Sequence, residues 1–194
     1  MKIQLIDTNI KMCEYWKQYF NVYPEITIYN GDFFSLPTDC VVSPANSFGF
    51  MDGGLDLAIS QKLGWGIQEK LQKQIQKDYD GELLVGQAEL VETGHSNIPY
   101  LISAPTMRVP AHINNTVNVY LAARAIFSLV RYEECLFNPR FNTVTISGLG
   151  TGVGRVTPDS CAKQMFAAYD RIIKNNNTFP RNWEDVNNNH NSLI

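Results

Sequence analysis

The residues with most chemistry to offer fall in two loops. The first belongs to VVSPANSFGFMDGGLDLAI, residues 41–59, where Asn46, Asp52 and Asp56 flank a Gly53-Gly54 pair. The second is SGLGTGVGRVTP, residues 147–158, where glycines at 148, 150, 152 and 154 alternate with Leu149, Thr151, Val153 and Arg155. Glycine lets a backbone approach a ligand closely. Consecutive inward-facing amides make an anion nest, and a helix starting at Pro158 would add its positive dipole end. The loop is no Walker A motif, because no Gly-Lys-Ser/Thr follows, and GTGVGR lacks the last glycine of the dinucleotide fingerprint. By composition alone, a turn that merely joins strand to helix stays a standing alternative.

By local chemistry alone the single side chains have structural readings. Asn46 has an amide that donates and accepts and suits an Asx turn. Asp32 after Gly31 reads as a turn aspartate. Asp56 sits in a first helical turn, where it complements the dipole by only about 0.3–1 kcal/mol. Arg108, in the Pro-bounded PTMRVP loop, faces a cleft or solvent. His95 and His112 are isolated, so no metal site is expected. Cys13, Cys40, Cys135 and Cys161 are scattered without a CxxC pair, so reduced thiols and a cytoplasmic location are expected.

These loops need strands that end at them. KIQLI (2–6), ITIYN (26–30), CVVS (40–43), 86–94, 100–105 and 142–150 read as strands. Helical spacing covers 9–20, 54–77 with a break at Gly64-Trp65-Gly66, 113–134 and 157–174, the last with Thr157 as N-cap and Pro158 at the first helical position. Alternating strands and helices predict a three-layer α/β/α domain with a mixed, largely parallel sheet, in which ligands bind beyond the strands' carboxyl ends. The domain is expected over 1–175. Residues 176–194, Asn-rich and without periodicity, are expected as a mobile tail that Trp183 could anchor. The net charge of −3 argues against a duplex nucleic-acid reader, and no run approaches the ~20 apolar residues of a membrane span.

Taken together, Gly31-Asp32, VVSPANS, DGGLDLAI and the late SGLGTGVG resemble the macrodomain family over roughly residues 1–175. The resemblance implies ADP-ribose binding and hydrolysis of ADP-ribosyl linkages, with mono-ADP-ribosylated macromolecules, O-acetyl-ADP-ribose or ADP-ribose 1″-phosphate as substrates and no cofactor. A module that binds ADP-ribose without cleaving it is the alternative. By this resemblance Asp32 accepts from the adenine amine, with Phe33 or Phe34 near the base. Asn46 meets the distal ribose. Gly53 and Gly54 pack on the ligand. Asp56 orients or activates the attacking water with help from Asn46. Ser147, Gly148, Gly150, Thr151, Gly152, Val153 and Gly154 wrap the pyrophosphate, Thr151 adding its hydroxyl.

The chain departs from the family pattern at three places. Asp52 stands where many members have a glycine. Pro44 replaces a common alanine and removes an amide donor. Gly154-Arg155 replaces an aromatic that stacks near the distal ribose, a role that Phe48 or Phe50 could take.

Overall fold

In a computed structural model describing residues 1–194, six strands and six helices build one mixed sheet with helices on both faces. The elements are β1 (Lys2–Asp7), α1 (Ile10–Phe20), β2 (Ile26–Asn30), β3 (Cys40–Ser43), α2 (Gly54–Leu63), α3 (Gly66–Asp78), β4 (Glu89–Glu92), β5 (Tyr100–Ser103), α4 (Asn118–Glu134), β6 (Thr143–Ile146), α5 (Pro158–Ile172) and α6 (Trp183–Leu193). The strand order is β2-β1-β6-β3-β5-β4. Every pairing is parallel except β4 with β5, an antiparallel edge.

Strand alternation divides the core in two. Cys40 and Val42 of β3 and Ile102 of β5 point into a cluster with α1, α4 and α5, where Trp16, Phe127 and Tyr169 are among the largest buried side chains. Val41 and Leu101 point the other way, against Ile59 of α2 and Ile67, Leu71 and Ile75 of α3. A period of two on a strand buried on both faces produces this split, and it explains why CVVS reads as a continuous apolar run. The predicted break at Gly64 is real: its φ of +92° ends α2, and its amide donates to Ser60 O.

Three local expectations differ from the structure. The long helix starts at Asn118 rather than 113, because the Ile113 amide is engaged by Gly154 O (2.9 Å) and Thr116 turns the chain by accepting from Asn118 N. β4 starts at Glu89, since Gly86 takes a φ of +99° and Gln87 N closes a turn on Leu84 O. The Asn-rich segment, expected as an aperiodic tail, contains α6. Asn182 caps it by accepting from Asp185 N, Glu184 and Asp185 sit at its positive end, and Leu193 buries its side chain while its carbonyl accepts from Gln164 Nε2. Trp183 is no anchor, being 77% exposed.

Candidate functional site

At the carboxyl ends of β1, β3 and β6, loops enclose a cavity of about 440 Å³. It lies where open α/β sheets hold their ligands. Asn46, Asp52, Gly53, Gly54 and Asp56 of the first loop, Thr151, Val153 and the four glycines of the second, and Asp32 and Phe33 line it, whereas Leu149 and Arg155 do not. Glycines 148, 150 and 154 are there because nothing larger fits. A Cβ on Gly148 would meet Asp7 Oδ2 at 2.9 Å, one on Gly150 would meet Ile113 Cδ1 at 2.9 Å, and one on Gly154 would meet Gly150 O at 2.5 Å. Gly53, Gly54 and Gly152 are different: a Cβ there meets nothing within 4 Å, so these glycines leave space in the cavity itself.

The cavity wall carries backbone donors without partners. In the late loop the amides of Gly150, Gly152, Val153 and Gly154 make no hydrogen bond within the chain. At the start of α2 no side chain caps the helix, and the amides of Gly54 and Leu55 are likewise unpaired. Unpaired N–H groups from a loop and from a helix N-terminus around one cavity form an anion site. Thr151 does not add to it as expected, because its hydroxyl gives its proton to Gly148 O (2.8 Å).

Asp56 is 7% exposed in the first turn of α2, and Ser43 Oγ at the end of β3 donates to its Oδ1. Burial pushes its carboxyl up to about 7, the Ser43 hydrogen bond opposes that, and the charge of Asp52 adds to it. The carboxyl therefore titrates much closer to neutral pH than an ordinary aspartate does.

Asn46 is a turn residue that also lines the cavity. Its Oδ1 accepts from Phe48 N (3.1 Å) and Phe50 N (3.2 Å), and its Nδ2 donates to Phe50 O (2.8 Å), so it holds the 46–50 loop. One Nδ2 proton is left for a ligand. Asp32 is likewise both a turn residue, accepting from Phe34 N through Oδ1, and part of the cavity wall, with Oδ2 unpaired. Phe33 is largely buried in the smaller core and touches Phe34 edge-on, with centroids 5.2 Å apart.

The alternatives for the aromatic and arginine positions also resolve. Phe50 lines the cavity and is 53% exposed, whereas Phe48 lies under the Arg108 guanidinium at 5.1 Å. Arg108 points elsewhere and makes a bidentate pair with Glu82 (2.6 and 3.1 Å). Arg155 is exposed and does not line the cavity. Asp7, the last residue of β1, also lines the cavity and is not among the residues that the loop motifs indicate. Its Oδ1 accepts from Asn9 N and its Oδ2 from Gly148 N (3.1 Å), so it fastens the glycine loop to the end of β1. A carboxylate on the last residue of a strand facing a glycine loop is the signal that could have found it.

Comparison with known proteins bears on the family and the fold. The model of the Macro domain family matches residues 42–165. An uncharacterized protein of Aquifex aeolicus (strain VF5) is 33% identical over 141 residues, covering 73% of this chain and 78% of that one. In fold the chain is similar to the macrodomain of Mycobacterium tuberculosis DarG, with a TM-score of 0.62 and 18% identity, covering 75% of this chain and 90% of that chain. It is also similar to the Oceanobacillus iheyensis macrodomain with ADP (TM-score 0.62, 19% identity, 76% and 75% covered). Thermosipho africanus DarTG in complex with ADP-ribose matches with a TM-score of 0.56 at 18% identity, over 75% of this chain and 37% of that one.

Proposed function

The chain belongs to the Macro domain family, and from that premise we propose that it binds ADP-ribose in this cavity and hydrolyses the bond joining the distal ribose to a modified target. The observation that carries the reading is the pair of unpaired amide sets, at 150–154 and at the start of α2, lining one cavity with Asp32. The amides hold the diphosphate without any cationic side chain. Asp32 Oδ2 accepts from the adenine amine, and the remaining Nδ2 proton of Asn46 goes to a ribose hydroxyl. Asp56, when ionised, takes a proton from water as that water attacks the anomeric carbon. The bond from that carbon to the target breaks, and the proton that Asp56 accepted passes to the leaving atom, which restores the carboxylate. A carboxylate with a midpoint near 7 is well matched to this exchange at neutral pH.

A second reading, binding without cleavage, is favoured by one observation: Asp56 is nearly buried, and one of its oxygens is already held by Ser43. Calorimetry with ADP-ribose tests the premise that both share. Release of ADP-ribose from a mono-ADP-ribosylated protein, wild type against Asp56→Asn, separates them. Loss of release with binding retained supports the enzyme. Binding with no release by wild type supports the reader.

A further inference from the structure

Asp52 is the feature that the site leaves unexplained. Four carboxylates line the cavity: Asp7, Asp32, Asp52 and Asp56. Asp7 is held by two amides, Asp32 by Phe34 N and Asp56 by Ser43. Asp52 alone has no hydrogen-bond or ion-pair partner. Neither lysine, arginine nor histidine lines the cavity. The cations around it are placed elsewhere: Lys62 lies over the Phe34 ring at 5.7 Å, Arg108 is tied to Glu82, and Arg155 is exposed. Asp52 also precedes the Gly53-Gly54 pair directly and is close enough to Asp56 for its charge to act on that carboxyl. The end of the cavity where the distal ribose would react therefore carries an exposed carboxylate with no protein counter-ion and a free acceptor.

Building on the ADP-ribose reading above, we propose that Asp52 makes this cleft charge-selective: it admits ADP-ribosyl groups whose substituent on the distal ribose is neutral or cationic and donates hydrogen bonds, and it rejects those whose substituent is a phosphate. The diphosphate of the ligand is served by the amides at 150–154 and at the α2 start, away from any requirement for a cation. A further phosphate next to Asp52 and Asp56 finds like charge and no counter-ion. A guanidinium or amide nitrogen at the same place finds an acceptor with a free lone pair. Repulsion between charges in a partly solvated cleft is sensitive to salt, so the discrimination is largest at low ionic strength.

The test is calorimetric titration of the whole chain with ADP-ribose, ADP-ribose 1″-phosphate and ADP-ribosyl-arginine, at low and at physiological salt. Wild type, Asp52→Asn and Asp52→Gly are compared, with thermal melts as a control for folding. Wild type is expected to bind the 1″-phosphate about tenfold or more weakly than ADP-ribose. Both variants are expected to close most of that gap, and to lose the preference for ADP-ribosyl-arginine. Equal affinity of wild type for ADP-ribose and its 1″-phosphate overturns the proposal, as does a gap that survives in both folded variants. Those results leave the ADP-ribose reading standing. Failure of wild type to bind any of the three ligands overturns both together.

Discussion

Ser43 Oγ donates a hydrogen bond to the buried carboxyl of Asp56, joining the last residue of β3 to the first turn of α2. The contact spans the strand–loop–helix unit that carries most of the site. It favours the charged form of Asp56 against a burial that favours the neutral one, and the burial prevails. The balance of these two effects sets what Asp56 contributes to the pH dependence of the fold.

Asp56 should make the fold less stable as pH rises. Its carboxyl has been pushed from 3.8 up to about 7 by burial, so between those values the folded chain binds a proton that the unfolded chain has released. Stability is lost across that window and stays low above it, by up to about 4 kcal/mol. Asp56→Asn keeps an acceptor for Ser43 and removes the charge. Its melting temperature at pH 8 is expected to exceed that of wild type by several degrees, with little difference at pH 4. Parallel melting curves for the two proteins from pH 4 to 8 would contradict this.

Ser43→Ala removes the hydrogen bond that stabilises ionised Asp56, so the carboxyl moves further up. A hydrogen bond to a charged group is worth about 1.5–3 kcal/mol, equivalent to a shift of roughly one to two pH units. In the proposed hydrolysis, the rising limb of the pH–rate profile should move upward from near 7 by about that amount. At least about half of the activity would then be recovered at pH 9. A profile that only drops in height, with its midpoint in place, would show that Ser43 does not act through Asp56.

The glycines should divide into two classes under substitution. Gly152→Val puts its side chain into empty cavity space and is expected to leave the melting temperature almost unchanged while abolishing ADP-ribose binding. Gly154→Ala places a Cβ 2.5 Å from Gly150 O and 2.8 Å from Ile113 Cγ1, and is expected to destabilise the fold by about 1–3 kcal/mol as well. Thermal melts with and without ADP-ribose read both effects. Equal melting temperatures for the two variants would mean that the late loop yields more readily than its packing implies.

Much of this was legible because period and loop chemistry agreed locally. CVVS, the break at Gly64 and the capped start at Thr157 each carry their own signal, and each appears where expected. The two glycine-bearing loops could be paired only by their resemblance to a family, since nothing in residues 41–59 indicates residues 147–158. Long-range partners were invisible. That Ile113 N serves Gly154 O, that Asp7 holds Gly148 N, and that Arg108 turns to Glu82 are facts of tertiary placement. Asn46 shows the limit of opposing a structural to a functional reading, because its amide has enough hydrogen-bonding groups for both. The α6 helix was missed because only Trp183, Val186 and Leu193 break its polar run, and its docking depends on Gln164, a buried polar residue on another helix.

That docking makes a final expectation. Gln164 is buried, its Oε1 accepts from Tyr120 N, and its Nε2 donates to Thr116 O and Leu193 O. Removing residues 183–194 takes away one of those acceptors and uncovers part of α5, at an expected cost of about 1–2 kcal/mol. None of the residues of α6 lines the cavity, so affinity for ADP-ribose should be retained. A truncated chain that melts with wild type would show that α6 adds nothing to the fold. One that melts lower but binds normally would show that it braces α5 from outside, independently of the site.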